Sequence, residues 1–225
     1  MKTINFSTVL ASAVHDIKNA LNILINNIDA ISNTTVNAEN KTELEQLQYQ
    51  GKRINNHLIQ LLVLYRINQS QYFPNLMETG IKEFLDEAID QYTSLFALKN
   101  ITLTVDCTDD LYWYIDCDLI NGVLTNIMNN LYMHAKSKIE ISARQESNTL
   151  ILQIKDDGFG FSDEMLLTPF CSQQKKFNFN SSSTGLGLYF SSIAAEMHQN
   201  NGKSGYISTS NDGLNGGGCF SIMLP

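Results

Sequence analysis

The sequence predicts an α+β protein: an N-terminal two-helix hairpin that dimerises into a four-helix bundle, followed by an α/β sandwich with helices on one face of a mixed sheet. Three observations carry this. Leu10, Val14, Ile17, Leu21, Leu24, Ile28 and Ile31 alternate spacings of four and three, the seam of a long helix. Leu44, Leu47, Gly51, Ile54, Leu58, Leu61 and Tyr65 repeat the pattern after a polar break at Ser32 to Lys41. Beyond about Glu78 helical and strand-like periods alternate instead.

Two helices with one apolar stripe each cannot enclose a core, so the hairpin calls for a second copy and a homodimer. Polar residues from Gln69 to Asn75, with Pro74 among them, divide a hairpin domain over residues 1–72 from a second domain over 73–225. In that second domain Ile81 to Leu98 reads as a helix, Ile101 to Asp106 and Leu111 to Ile115 as strands, and Asp118 to Ala135 as a helix again. Lys138 to Ala143 and Thr149 to Lys155 form a strand pair joined by the polar Gln145 to Asn148. Ser162 to Ser183 is polar and weakly periodic. Leu186 to Met197 is helical, and Tyr206 to Ser210 and Gly218 to Leu224 are closing strands.

The 225 residues are 43% hydrophobic, an ordinary globular composition, and the net charge of −8 excludes a nucleic-acid phosphate backbone as partner. No apolar run approaches the roughly 20 residues needed to span a bilayer, and no signal-peptide pattern opens the chain, so a cytoplasmic protein with no membrane segment is expected. Cys107, Cys117, Cys171 and Cys219 lie far apart with no metal-ligand spacing to His15, His57, His134 or His198, and read as reduced thiols.

Three short stretches carry chemistry. His15 and Asn19 share the exposed face of the first helix, and Asp16 beside His15 is able to hold Nδ1–H and leave Nε2 as a nucleophile; a solvated surface histidine is the plainer alternative. Asp156-Asp157-Gly158-Phe159-Gly160 follows a strand, and Thr184-Gly185-Leu186-Gly187-Leu188 opens a helix whose N–H groups suit an anion. Either glycine pair alone also fits a tight turn. Asn126 and Asn130 lie one turn apart on one helix face; an amide oxygen is a neutral Mg²⁺ ligand, though surface or capping amides look the same in sequence.

In this order and spacing the stretches resemble the catalytic core of two-component histidine kinases, whose nucleotide domain is of the Bergerat type shared with gyrase, heat-shock 90 chaperones and mismatch-repair ATPases. The resemblance covers nearly the whole chain. His15-Asp16-Ile17-Lys18-Asn19 is similar to the phosphoacceptor box, Asn126 to Asn130 to the N box, and Asp156-x-Gly158-x-Gly160 to the first glycine box. Pro169-Phe170 resembles the phenylalanine box, Thr184 to Leu188 the second glycine box, and Gly216 to Pro225 the terminal strand.

The resemblance implies an ATP- and Mg²⁺-dependent protein histidine kinase. His15 would be phosphorylated, with Asp16 orienting its ring and Asn19 touching the transferred group or, in dephosphorylation, positioning water. Asp156 would accept the adenine amino group, Asn130 hold Mg²⁺ and Asn126 help hold the phosphates. Gly158, Gly160 and Thr184 would belong to the cofactor site, Gly185, Leu186 and Gly187 would place backbone N–H groups against the phosphates, and Ser162 to Ser183 would be the ATP lid. The phosphoryl group would pass to an aspartate of a response regulator receiver domain. Because 14 residues precede His15, the input is expected from an upstream region or a separate sensor protein.

The sequence departs from the family pattern in three places. Met133 stands where many relatives carry a phosphate-contacting lysine, which Lys136, Lys175 or Lys176 would have to replace. Leu131 replaces an alanine, and Ala20 replaces a helix-kinking proline. Two other readings compete: a non-catalytic phosphotransfer or scaffold protein with a degenerate nucleotide domain, and a serine kinase of the anti-sigma type. Intact glycine boxes oppose the first, and the hairpin bearing His15 opposes the second.

Overall fold

The computed structural model describes residues 17, 21–26, 28, 38–170 and 185–225, and the chain divides into two units, Met1–Phe73 and Pro74–Pro225. His15, Asp16, Asn19, Ala20, Thr184, Lys175 and Lys176 lie outside the described residues.

In the first unit residues 17, 21–26 and 28 are helical, and α1 spans Ala38–Asn68. The expected polar break therefore ends earlier than Lys41, since Ala38 to Lys41 already belong to α1. Ile25 and Ile28 are buried, and a Cβ on Gly51 would lie 2.8 Å from Ile25 Cγ1, so the missing side chain lets the two helices approach closely. The periodic apolar residues do not all turn inward. Leu47, Ile54 and Leu61, seven residues apart along α1, are 56%, 49% and 45% exposed, and Ile17 and Leu24 on the other helix are likewise exposed.

The second unit is an α+β sandwich. Strand β1 (Met77–Gly80) pairs antiparallel with β3 (Tyr112–Ile115) in a small ribbon. The main sheet runs β2-β4-β5-β10-β9-β6, where β2 is Thr102–Asp106, β4 Lys138–Glu146, β5 Thr149–Asp156, β6 Leu167–Phe170, β9 Tyr206–Ser210 and β10 Cys219–Leu224. Only β2 and β4 are parallel in this sheet. Two short strands, β7 (Gln199–Asn200) and β8 (Lys203–Ser204), form a separate hairpin. The helices are α2 (Ile81–Ala97), α3 (Cys117–His134) and α4 (Gly185–Glu196).

Alternation orders the core. Along β5, Leu150, Leu152, Ile154 and Asp156 are buried while their neighbours are half-buried, so the last inward position of an apolar strand is a carboxylate. The apolar face of α2 buries Ile81, Leu85, Ile89 and Phe96. That of α3 buries Leu119, Ile120, Val123, Leu124, Ile127 and Leu131, and Asn126 lies buried among them. The β4–β5 connection is tighter than the sequence suggests: both strands extend until only Ser147 and Asn148 turn the chain, with Ser147 at φ 55°. The polar segment after Ser162 also holds a 3₁₀ turn, Asp163–Met165, and the edge strand β6.

Candidate active site

A cavity of about 270 Å³ opens between α3 and the sheet. Ile127, Leu131, Ile154, Leu188, Met165 and Phe220 give it apolar walls, and Asn130, His134, Asp156 and Ser162 supply its polar groups. The sequence stretches read as the N box, the two glycine boxes and the terminal strand all contribute to it.

Asp156 is 7% exposed. Its Oδ1 accepts the Gly158 N–H at 2.7 Å, and its own N–H donates to Gly218 O at 3.0 Å. Burial pushes the carboxyl above the ordinary aspartate range, and the Asp157 charge adds to this. The N–H groups of Gly158 and Gly218 and the nearby His134 pull the other way. The backbone around it is crowded: a Cβ on Gly158 would come within 2.5 Å of His134 O, and one on Gly218 within 2.7 Å of Asp156 Oδ2. Gly160 sits at φ 74°, in the left-handed region. Asn211 holds the next residue: its Oδ1 accepts Phe161 N–H at 2.6 Å and its Nδ2 donates to Phe161 O at 3.0 Å.

The adjacent Asp157, 6% exposed, has a different task. It accepts the N–H groups of Lys136 and Ser137, each at 3.0 Å, and the Ser137 hydroxyl at 2.5 Å. Burial opposes its ionisation, but the Ser137 hydroxyl and the surrounding N–H groups outweigh it and hold the carboxyl well below the usual range. Asp157 thus pins the turn after α3, leaving Asp156 as the carboxylate of the cavity.

Asn126 is 6% exposed, and its Nδ2 finds no hydrogen-bond partner among the described residues. It lies under the first turn of α4, where a Cβ on Gly187 would stand 2.2 Å from Asn126 Oδ1. Only glycine permits that approach. An orphaned buried amide beside a helix N-terminus, with its N–H groups and positive partial charge, is the chemistry of an anion site. Of the remaining expected residues, Gly185 begins α4, Leu186 is half-buried and Leu188 reaches the cavity. Pro169 and Phe170 lie on the edge strand β6.

Met133 is 55% exposed. Lys136 Nζ donates to Gly158 O at 3.2 Å and stands 4.6 Å from the Phe159 ring centroid, so its ammonium is engaged with the first glycine box. Sequence reasoning missed His134, Phe161 and Asn211, while Ser162 and Met165 belong to the segment read as a lid. The signal for His134 was available: it stands four residues after Asn130 and thus on the same helix face. Asn211 offered none, because it lies 50 residues from the backbone that it holds.

The cavity has room for a flat, largely apolar group carrying a hydrogen-bond donor toward Asp156. Asn130 is a single neutral oxygen donor, which fits Mg²⁺ that keeps phosphate and water ligands. No helix of the described residues is long and apolar enough to cross a membrane.

Residues 115–225 match the family of histidine kinase-, DNA gyrase B- and HSP90-like ATPases. The sensor histidine kinase RppB of a Synechocystis species is 21% identical over 223 residues, which is 96% of this chain and 48% of that protein. The fold is similar to that of the Acinetobacter baumannii histidine kinase AdeS (TM-score 0.60, 21% identity, 93% of this chain and 96% of that one). It also resembles full-length ShkA in complex with AMPPNP (TM-score 0.65, 16% identity, 97% of this chain and 45% of that one). The chain spans about half the length, or less, of the curated relatives it matches.

Proposed function

From a chain that has the catalytic core of a two-component histidine kinase, with residues 115–225 as its ATPase domain, we propose that this protein is a cytoplasmic ATP-dependent kinase that phosphorylates its own His15 and passes the group to an aspartate of a response regulator. The observation that carries the reading is the pairing of two buried polar groups: Asp156 at the end of β5, and the Asn126 Nδ2 group, without a partner among the described residues, beside Gly187.

Asp156 takes the adenine amino group and so selects ATP over a nucleotide with a carbonyl at that position. Asn130 would hold Mg²⁺, which would supply neutralisation of phosphate charge. Asn126 and the N–H groups at Gly185 and Gly187 hold phosphate oxygens. Asp16 keeps the His15 ring proton on Nδ1, so Nε2 attacks in line: the Nε2–phosphorus bond forms as the bond from the γ-phosphorus to the leaving ADP oxygen breaks. Asn19 contacts the transferred group, and in hydrolysis of the phosphorylated regulator it positions water.

The exposed line Leu47, Ile54 and Leu61 supports a homodimer, since a second copy would cover it as a four-helix bundle. A separate sensor or an upstream region supplies the input. The test is incubation of the full chain with labelled Mg-ATP. An acid-labile, base-stable phosphoryl group should form, and both His15→Ala and Asn130→Ala should abolish it. Label retained by His15→Ala sinks the assignment, and acid-stable label would favour a serine kinase instead.

A further inference from the structure

His198 and Asp116 are 2% and 3% exposed, far apart in sequence and outside the cavity. The Asp116 N–H donates to His198 Nε2 at 3.0 Å, and His198 Nδ1 lies 2.8 Å from Ala194 O. A ring that accepts at Nε2 and donates at Nδ1 is neutral and fixed in one tautomer. Burial lowers its pKa and favours that state, while the Ala194 carbonyl and the Asp116 carboxylate pull the other way.

Asp116 is itself a junction. Its Oδ1 accepts Leu119 N–H at 3.0 Å and caps α3, and its Oδ2 accepts Asn75 N–H at 2.9 Å where the second unit begins. His198 follows the C-terminal end of α4, and its carbonyl accepts Gly205 N–H at 2.9 Å beside β9. The pair therefore fastens the start of α3 to the end of α4. The helices meet again at Gly122, where a Cβ would lie 3.0 Å from the Phe190 ring, and at Asn126 and Gly187, ten residues along α3 from Asp116 or roughly 15 Å of helix. The Asp116–His198 bond anchors the end of this line of contacts farthest from the α4 N-terminus, and so sets the angle of α3 against α4.

We propose that His198 is a positioning residue for nucleotide binding: by accepting the Asp116 N–H it sets α3 against α4 and so holds Asn126 and Asn130 in register with the α4 N-terminus. The inference rests on the nucleotide reading above.

Two amides of different reach separate the bond from the bulk of the ring. In His198→Gln the Oε1 reaches the place of Nε2 and still accepts from Asp116. In His198→Asn the amide replaces only Nδ1 and leaves the buried Asp116 N–H unsatisfied. With the full-length variants, ATP affinity is measured by calorimetry, and amide hydrogen exchange at Asn126 to Asn130 without nucleotide. His198→Asn should weaken ATP binding about tenfold, the worth of one buried hydrogen bond, and speed that exchange. His198→Gln should stay within about threefold of wild type on both counts. The inference is overturned if the two variants behave alike, whether both bind as wild type or both fail to bind or fold. Should wild type itself bind no ATP, the nucleotide reading falls, and the exchange contrast alone decides whether the clamp holds α3.

Discussion

Gly187→Ala tests the phosphate end of the site with one methyl group. The added Cβ would stand 2.2 Å from Asn126 Oδ1, 2.4 Å from Nδ2 and 2.6 Å from Cγ. Moving Oδ1 from 2.2 Å to the 3.4 Å of ordinary contact demands a retreat of about 1.2 Å. Asn126 has no easy retreat, because it is 6% exposed and grows from the middle of α3. Overpacking of this kind costs about 1–3 kcal/mol, or about 3–9 °C in Tm for a unit of this size. The gain in helix propensity on replacing glycine, up to about 1 kcal/mol, offsets part of it. His15 labelling should suffer more than folding, since a misplacement of about 1 Å costs on the order of a hundredfold in rate. Scanning calorimetry reads the first effect, and ATP titration or His15 labelling the second. Combining Gly187→Ala with Asn126→Ala should recover stability, since the clash is then gone, while binding stays weak because the amide is missing. A Gly187→Ala protein with unchanged Tm and unchanged ATP affinity would refute the close approach on which the phosphate site depends.

Asp156→Asn should abolish measurable ATP binding yet keep or raise Tm at neutral pH. The folded carboxyl titrates above its unfolded value, so its favourable contribution is complete below the unfolded pKa and lost as pH rises through the folded one. For the same reason wild-type ATP affinity should fall on acidification at a pH above the ordinary aspartate range; a binding curve flat to pH 4 would count against Asp156 as the base-reading group. Ile54→Glu together with Leu61→Glu should shift the light-scattering mass from twice 25.3 kDa to 25.3 kDa, and a persisting dimer would place the interface elsewhere.

The sequence was most legible where one period ran long. The spacing in α3 located that helix to within a residue at each end, and the strand read over Thr149 to Lys155 runs one residue further, to Asp156. It was silent where pairing, not pattern, makes the element. Met77–Gly80 has no alternation and becomes a strand only against Tyr112–Ile115, and the two-residue strands β7 and β8 are defined by each other. Ser147 and Asn148 turn a hairpin without glycine, so the polar Gln145 and Glu146 read as loop in the sequence although they belong to β4. The roles of Asn211, Asp116 and His198 depend on contacts across 50 or more positions, for which local spacing holds no information.

The position of β10 carries a consequence for how the protein is made. This strand lies inside the main sheet, between β5 and β9, and all six of its residues are buried. Together with Gly217 and Gly218 it forms the wall beside Asp156. During synthesis β4 and β5 emerge early but present an open, apolar edge until Cys219–Leu224 has left the ribosome. The cavity thus forms only once β10 has joined β5, and a polypeptide interrupted shortly before Cys219 would expose a strand edge suited to aggregation.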